Sequence, residues 1–499
     1  MTTHVELRRG AYHDSVSLMQ VSRAVAGTPG VAAAQVAMAT ELNVEVLGGM
    51  GFDVPAEAGP NDLVVAIRAD DDAGLDAGLA AVTDALAALR GTGNSGSGGD
   101  DEVPPRTLGS AAARSGAPLA VISVPGQHAV TEAFDAIASG LSVMLFSDNV
   151  SVEDEVRLKD AAAPADVLVM GPDCGTAHVA GVALGFANVV RPGSVGVVAA
   201  SGTGAQQVMC LLDAAGVGLS HCLGVGGRDL KAAVGGRSTR QALRALADDP
   251  ATDTVLLVSK PPDDAVLADV EAYAAELGLR VHWAVLGPGR PDLTEAVETF
   301  LEAEGHSVPA WPTTLAAPED PELTKGPSLR GLFCGGTLAD EAMTVAEATL
   351  GGIRSNIAHS PDLALGADLS DPGHVVIDFG DDGLTRGRAH PMIDPTLRME
   401  RIAREATDPT CGVLLLDLVL GHGAHPDPAG ELADAVRSAR DVAHADRRAL
   451  PVVVSLTGTD ADPQQRARCA EVLAAAGASV FLSNGAATRH ALDLLRSAS

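Results

Sequence analysis

Four residues, Ser201-Gly202-Thr203-Gly204, carry the clearest chemical signal in the chain. They follow an apolar run, Val195–Ala200, and a helical pattern starts at once. A strand that ends in a small, hydroxyl-bearing turn and opens a helix is an anion site. Free backbone N–H groups and the positive end of the helix dipole point at one place. A second apolar run ends in Gly224-Val225-Gly226-Gly227, and a third, Thr254–Ser259, follows Asp249-Pro250. The pattern is a βαβαβ unit with ligand-friendly turns at its strand ends. The same spacing also suits a plain α/β domain whose glycines serve only packing.

A second polar group lies near the C-terminus. Residues 376–398 read VIDFGDDGLTRGRAHPMIDPTLR. His390 with Asp394 could serve as acid and base, and Arg386, Arg388 and Arg398 could clamp an anion. The competing reading is a turn stiffened by His-Pro and Asp-Pro, with arginines that merely pair with carboxylates. Gly421-His422-Gly423-Ala424-His425-Pro426 ends a strand expected at Gly412–Leu420. No carboxylate or cysteine partner is fixed for these histidines, so the turn is expected to frame a ligand cleft and no metal is expected.

Positioning these groups takes several domains, because 499 residues exceed one core. Hydrophobic residues make up 46% but aromatics only 2%, so the core is built from Ala, Val and Leu. That suits buried parallel strands and Ala-rich helices. A net charge of −31 argues against nucleic acid and against anionic membrane surfaces. Small anions are not excluded, since backbone N–H groups bind them locally. No run of 18 apolar residues and no signal-peptide core occur. Six scattered cysteines without a CxxC pair point to a reducing cytoplasm and no structural zinc.

Residues 1–92 are expected to form a small α+β domain, ferredoxin-like, with strands at His4–Arg9, Val31–Ala39 and Asp62–Ala69 and helices at Ser15–Ala26 and Ala73–Leu89. A docking or regulatory role suits it. Residues 93–108 contain the flexible acidic break NSGSGGDDEVPP. A Rossmann-like domain at 109–192 and a flavodoxin-like domain at 193–305 follow. Five prolines make 306–327 a surface linker, and 328–499 is a second flavodoxin-like domain. An internal echo supports the last assignment. VGVVAASGTG at 195–204 matches LRGLFCGGTL at 329–338, and ADDPATDTVLLV at 247–258 matches ATDPTCGVLLL at 406–416.

Residues 192–260, with PGSVGVVAASGT, LGVGG and a strand led by Asp-Pro, resemble the ligase domain of the succinyl-CoA synthetase alpha subunit. VISVPGQHAVTEAFDAIASGL and LVMGPDCGTAHVAG resemble its CoA-binding half. The HPMIDP segment at 390–395 and the N-terminal RGAYHDS resemble the FdrA family of acyl-CoA-synthetase-like proteins, and that resemblance spans nearly the whole chain. It implies an α/β multidomain fold: a small α+β N-terminal domain, a CoA-binding-type Rossmann domain and two succinyl-CoA-synthetase-type ligase domains.

The resemblance also implies a subunit of an oxamate carbamoyltransferase in purine (allantoin) nitrogen breakdown, turning oxalurate and phosphate into oxamate and carbamoyl phosphate. Phosphate, as substrate, would sit at Ser201, Gly202, Thr203 and Gly204. Gly226 and Gly227, or Gly335, Gly336 and Thr337, would stabilise the oxyanion. Arg386 or Arg388 would clamp the substrate carboxylate, and His390 would protonate the leaving nitrogen. Two departures from the synthetase stand out. No histidine occurs in Gly287-Pro288-Gly289-Arg290-Pro291, where the phosphohistidine loop belongs, and Ser259-Lys260-Pro261-Pro262 replaces the acidic residue that orients it.

The alternatives are an NDP-forming acyl-CoA ligase and a non-catalytic scaffold. CoA is possible on the ligase reading, at loops Pro125-Gly126 and Gly171-Pro172-Asp173-Cys174. A small anionic substrate, a second enzyme subunit and self-association are the expected partners.

Overall fold

The computed structural model describes residues 1–11, 13, 15–92, 105–385 and 389–496. The chain divides into two compact units. The first is Met1–Arg114 with the short segments Ser123–Pro125 and Thr385–Ala389; the second is the remainder.

The first unit runs β1 (Thr2–Arg8), α1 (Ser15–Ala26), β2 (Val31–Met38), α2 (Glu41–Gly49), β3 (Leu63–Ala69) and α3 (Asp72–Thr92). Three antiparallel strands in the order β1-β3-β2 form its sheet. Alternation on β3 explains the layers. Leu63, Val65 and Ile67 pack with Leu18, Val21 and Leu86 of α1 and α3, while Val64 and Ala66 pack with Leu47 and Phe52. The expected ferredoxin-like unit is thus a three-stranded sheet covered on both faces. Helix α2, which capping by Thr40 starts, was not expected from the sequence.

After α4 (Leu108–Ser115), the second unit begins with β4 (Leu119–Ile122), α5 (Gly126–Ala138), β5 (Ser142–Leu145), α6 (Val152–Ala162) and β6 (Val169–Met170). These strands form a short parallel sheet, β4-β5-β6. Next come β7 (Thr176–Val179), β8 (Val182–Gly185), β9 (Pro192–Ala200), α7 (Gly202–Ala214), β10 (Leu219–Gly224), α8 (Arg237–Asp248), β11 (Thr254–Ser259), α9 (Asp264–Glu276), β12 (Val281–Val285) and α10 (Leu293–Ala303). Their sheet has the order β12-β11-β9-β10-β7-β8. The β7–β8 hairpin therefore joins the sheet of the following segment, on the antiparallel side of β10.

The last part comprises β13 (Thr313–Thr314), β14 (Ser328–Phe333), α11 (Gly336–Leu350), β15 (Arg354–Ser355), β16 (Val375–Asp378), α12 (Asp382–Thr385), α13 (Thr396–Thr407), β17 (Cys411–Val419), α14 (Pro428–Ala445), β18 (Val452–Thr457), α15 (Arg466–Ala475), β19 (Ala478–Phe481) and α16 (Asn484–Arg496). Its sheet order is β13-β19-β18-β17-β14-β16-β15. Both large sheets place the first strand, β9 or β14, inside its successors, which is the flavodoxin-like winding. The Pro-rich stretch contributes the two-residue edge strand β13 and an isolated bridge from Thr324 to Arg448. The internal echo extends to detail. Helices α8 and α13 both end at an Asp-Pro turn, closed by Asp249 on Thr252 and by Asp408 on Thr410.

Helix α7 is buried along one continuous stretch, Gly204–Leu212. A helix buried on all sides belongs between two layers, and this one carries two buried amides that join them. Gln206 donates to Asn188, and Gln207 donates to the Leu482 carbonyl and accepts from Thr457. Asp462 completes this seam by accepting from Asn188, the Val189 N–H and the Thr459 N–H. A second seam joins Glu341 to the Leu293 N–H at 2.6 Å, and Thr294 to Ser483 at 2.7 Å.

Two buried ionic groups fix the turns that matter below. Asp417, fully buried, accepts the N–H groups of Cys334 and Gly335 at 2.8 and 2.9 Å and pairs with Arg398 at 2.7 Å. Lys159 binds Glu155, Asp229 and the Val225 carbonyl, and Asp229 in turn accepts from Ser238 and Thr239 at the start of α8. All six cysteines are free and buried. Among the described residues, no helix is long and apolar enough to cross a membrane.

The Asp417→Ala variant should lose about 3–5 kcal/mol of stability, because it strands a buried guanidinium and frees two N–H groups. Urea unfolding reads this loss directly. Asp417→Asn should cost less, since it still accepts hydrogen bonds.

Candidate functional site

Strands β9, β10, β11, β14 and β16 end at turns that converge. Ser201 caps α7 by accepting the Gly204 N–H at 2.9 Å. The same hydroxyl donates to Thr337 Oγ1, in the first turn of α11, at 2.7 Å. The two helix N-termini are therefore in direct contact. A Cβ on Gly335 would lie 2.9 Å from the Thr203 side chain, and one on Gly204 would lie 3.0 Å from Thr337 Cγ2. In α7, capping leaves Gly202 and Thr203 N–H without an intrahelical acceptor. In α11, Asp417 satisfies Gly335, and Gly336, Thr337 and Leu338 stand in the same position. Two positive helix ends in contact repel one another unless an anion sits between them.

Lys260 adds a full charge. It follows β11, and its Nζ lies 3.4 Å from a Cβ placed on Gly336. An ammonium beside a helix N-terminus is unfavourable alone and favourable with a shared anion. In the sequence, Ser259-Lys260 stands out only as the place where the orienting acid is missing. The signal that was there is position, since open α/β sheets bind ligands at the carboxyl ends of their strands.

Two carboxyls face this cation. Asp378 ends β16, and its Oδ2 lies 2.5 Å from a Cβ placed on Gly336, while Oδ1 accepts the Gly380 N–H at 2.9 Å. Burial pushes it up to about 7, against the pull of Lys260. Asp173 is likewise raised to about 7, first by burial and then by Asp382 and Asp148. It sits in the Gly171–Cys174 turn, beside which Gly226 packs. Gly226 has φ +90°, and a Cβ there would lie 2.8 Å from the Pro172 carbonyl oxygen. Only glycine meets both conditions. Gly227 faces open space. Cys174 lies behind this turn, and burial holds its thiol up at about 12, far from a thiolate.

His390 Nε2 lies 2.9 Å from a Cβ placed on Gly380, close to Asp378. Burial lowers its pKa to about 4. Its Nδ1 accepts the Met392 N–H at 3.2 Å, so the neutral ring carries its proton on Nε2. Phe186 packs against the ring at 5.5 Å between centroids, tilted by 38°. Near pH 7 His390 is a hydrogen-bond donor and not an imidazolium.

The remaining expected residues lie as follows. Asp394 is engaged by the N–H and hydroxyl of Thr396 at the start of α13. Arg386 and Arg388 lie outside the described residues, and Arg398 is turned to Asp417. Gly126 opens α5 against the backbone of Asp148–Asn149, and Pro125 precedes it. His425 accepts the Asp427 N–H and lines a cleft with Cys334, Met392 and Arg398, while the His422 N–H donates to Ala187.

Known proteins resemble this chain in sequence. Residues 1–104 match the AllF heavy metal-associated domain, and residues 332–494 match the CoA-ligase family. The uncharacterized protein YahF of Escherichia coli K12 is 38% identical over 497 residues, covering 96% of this chain and 95% of YahF. The succinate–CoA ligase [ADP-forming] alpha subunit of Methanothermobacter thermautotrophicus is 30% identical over 213 residues, covering 39% of this chain and 71% of that subunit. A dinucleotide-forming acetyl-coenzyme A synthetase 1 of Ca. Korarchaeum cryptofilum is 15% identical, with a TM-score of 0.31, over 83% of this chain and 91% of its own. The extent of these sequence matches places the chain in the family of YahF, among the relatives of the succinate–CoA ligase alpha subunits, with an AllF-type N-terminal domain and a succinyl-CoA ligase-like domain.

Proposed function

We propose that this succinyl-CoA ligase-like protein transfers an acyl-type group to phosphate directly, and that the group is a carbamoyl. The observation that carries the reading is the contact between the α7 and α11 N-termini at Ser201 and Thr337, with Lys260 beside it. The loop after β12, residues 287–291, offers no histidine for a covalent relay. Phosphate held at these helix ends would attack the carbamoyl carbon of oxalurate. A carbon–oxygen bond forms and the bond to the oxamate nitrogen breaks. The proton of hydrogen phosphate ends on that nitrogen, and charge is conserved. The N–H groups of Gly336 and Thr337 would hold the oxyanion, and neutral His390 would donate through Nε2 to the substrate. Arg388 remains the proposed carboxylate clamp, and Asp394 would support His390 through its turn.

A second reading, acyl-CoA ligation, is favoured by the Gly171–Cys174 turn, which packs on Gly226 at the same sheet edge. The residues of that turn would hold CoA, which would supply a thiol as acyl acceptor. The N-terminal domain contains no cysteine, since the first is Cys174. It has no thiolate for a soft metal, and we assign it to docking a second subunit. A cytoplasmic setting suits the six free thiols.

Carbamoyl phosphate should form from oxalurate only when phosphate is present, with this chain and its partner subunit. Lys260→Ala should lower kcat/KM by roughly 10²–10³-fold, the scale of losing one electrostatic contact to the transition state. Acyl-CoA formed from ATP, CoA and a carboxylic acid, with no carbamoyl phosphate, would sink the carbamoyl reading. Phosphate at 100 times its Kd should also stabilise the protein by about 2.7 kcal/mol. Calorimetric melting checks this, and Lys260→Ala should reduce the gain.

A further inference from the structure

Asp378 has a place that the phosphate reading leaves unexplained. A carboxylate against the first residue of α11 would compete with the anion that the helix ends and Lys260 attract. Its backbone cannot turn away. Asn356 accepts the Asp378 N–H at 3.0 Å and donates to its carbonyl at 2.8 Å. The side chain is held as well, by the Gly380 N–H on Oδ1. Its Oδ2 stays against Gly336, in the region Lys260 Nζ also reaches.

We propose that this site binds its anion together with a proton, and that Asp378 holds that proton and serves as the acid–base residue of the site. The inference rests on an anion occupying the α7–α11 site. A protonated carboxyl there no longer repels the ligand and becomes a hydrogen-bond donor to it. In the carbamoyl reaction, Asp378 would pass its proton to the leaving nitrogen and recover one from the phosphate hydroxyl, so no proton is gained or lost. The charged and titratable surroundings agree. Lys260 faces Asp378 from the β11 turn, Asp381 from its own loop, Asp417 with Arg398 from β17 and α13, and His390 from the following loop. Asp173 and Asp382 share the field of Lys260. Asp417 is already occupied by two N–H groups and Arg398. Burial holds the Asp378 carboxyl at about 7, so a nearby anion needs only a small further push to keep it protonated.

Sulfate is the probe, because it does not titrate near neutral pH. Isothermal calorimetry at pH 8, in buffers of different ionisation enthalpy, counts protons taken up on binding. Wild type should take up most of one proton per sulfate, and its Kd should rise about tenfold per pH unit above 7. Asp378→Asn should bind sulfate without proton uptake, with a Kd that no longer changes with pH. Asp173→Asn should keep the uptake. The wild-type pH dependence needs no variant, so misfolding of Asp378→Asn cannot hide a negative result. Sulfate binding without proton uptake, uptake that survives in Asp378→Asn, uptake lost in Asp173→Asn, or no saturable sulfate binding would each overturn the proposal. Turnover is a separate readout. Proton-linked sulfate binding without carbamoyl phosphate formation would leave this inference standing and remove the carbamoyl reaction.

Discussion

The fold depends on a contact that is electrostatically unfavourable by itself, the meeting of two helix N-termini at Ser201 and Thr337. Each end carries about half a positive charge, and Lys260 adds a whole one nearby. Packing against both flavodoxin-like sheets forces the contact. Helix α7 is buried from Gly204 to Leu212 and cannot shift along its axis without moving Gln206 and Gln207. The polar seams through Asp462 and Glu341 hold the two sheets in register around it. Such an arrangement spends stability, and the anion proposed for the shared end would recover it. That is a reason for the site to be rigid before ligand arrives.

Rigidity at the strand ends has its own supports, and they are ionic. Asp417 with Arg398 holds the turn before α11, and Lys159 with Glu155 and Asp229 holds the turn after β10. Buried ion pairs are weak contributors to net stability but severe when half removed. Here each one also accepts or covers backbone polar groups that the turns leave behind. Their function is to aim the turns.

Much of the frame was legible in the sequence. The Ser201–Gly204 turn, the winding of both ligase-like regions and the Asp-Pro echo at 249 and 408 follow from local rules, namely strand runs, helix caps and Pro geometry. Those rules act within a few residues. The β7–β8 hairpin was harder, because its pairing with β10 is a tertiary choice that no local pattern announces. Lys260 and Asp378 were harder for the same reason. Each is an ordinary residue at a strand end, and only the approach of two sheets brings both against Gly336. His390 was found by its motif, but its protonation state was not, because burial sets it.

The two halves echo each other in architecture and differ at the helix ends that meet. In the first, the cap is Ser201, so α7 satisfies its own third N–H and offers its hydroxyl to the partner helix. In the second, the cap is Gly335, which has no side chain, so the first N–H groups of α11 stay uncapped, and Asp417 reaches across from β17 only to hold the turn before the helix through the Cys334 and Gly335 N–H groups. Lys260 follows the strand beside β9, whereas Asp417 lies within the strand beside β14. Lys260 Nζ reaches the first residue of α11. The cation of one half therefore serves the helix end of the other, while Asp378 of that second half faces it. A symmetric pair would have placed two equal anion seats side by side. On the proposed reading this pair makes one anion seat, with hydroxyls and N–H groups from both helices, a positive charge from one side and a titratable carboxyl from the other. That division of labour is what a transfer reaction needs, since charge must be held while a proton moves.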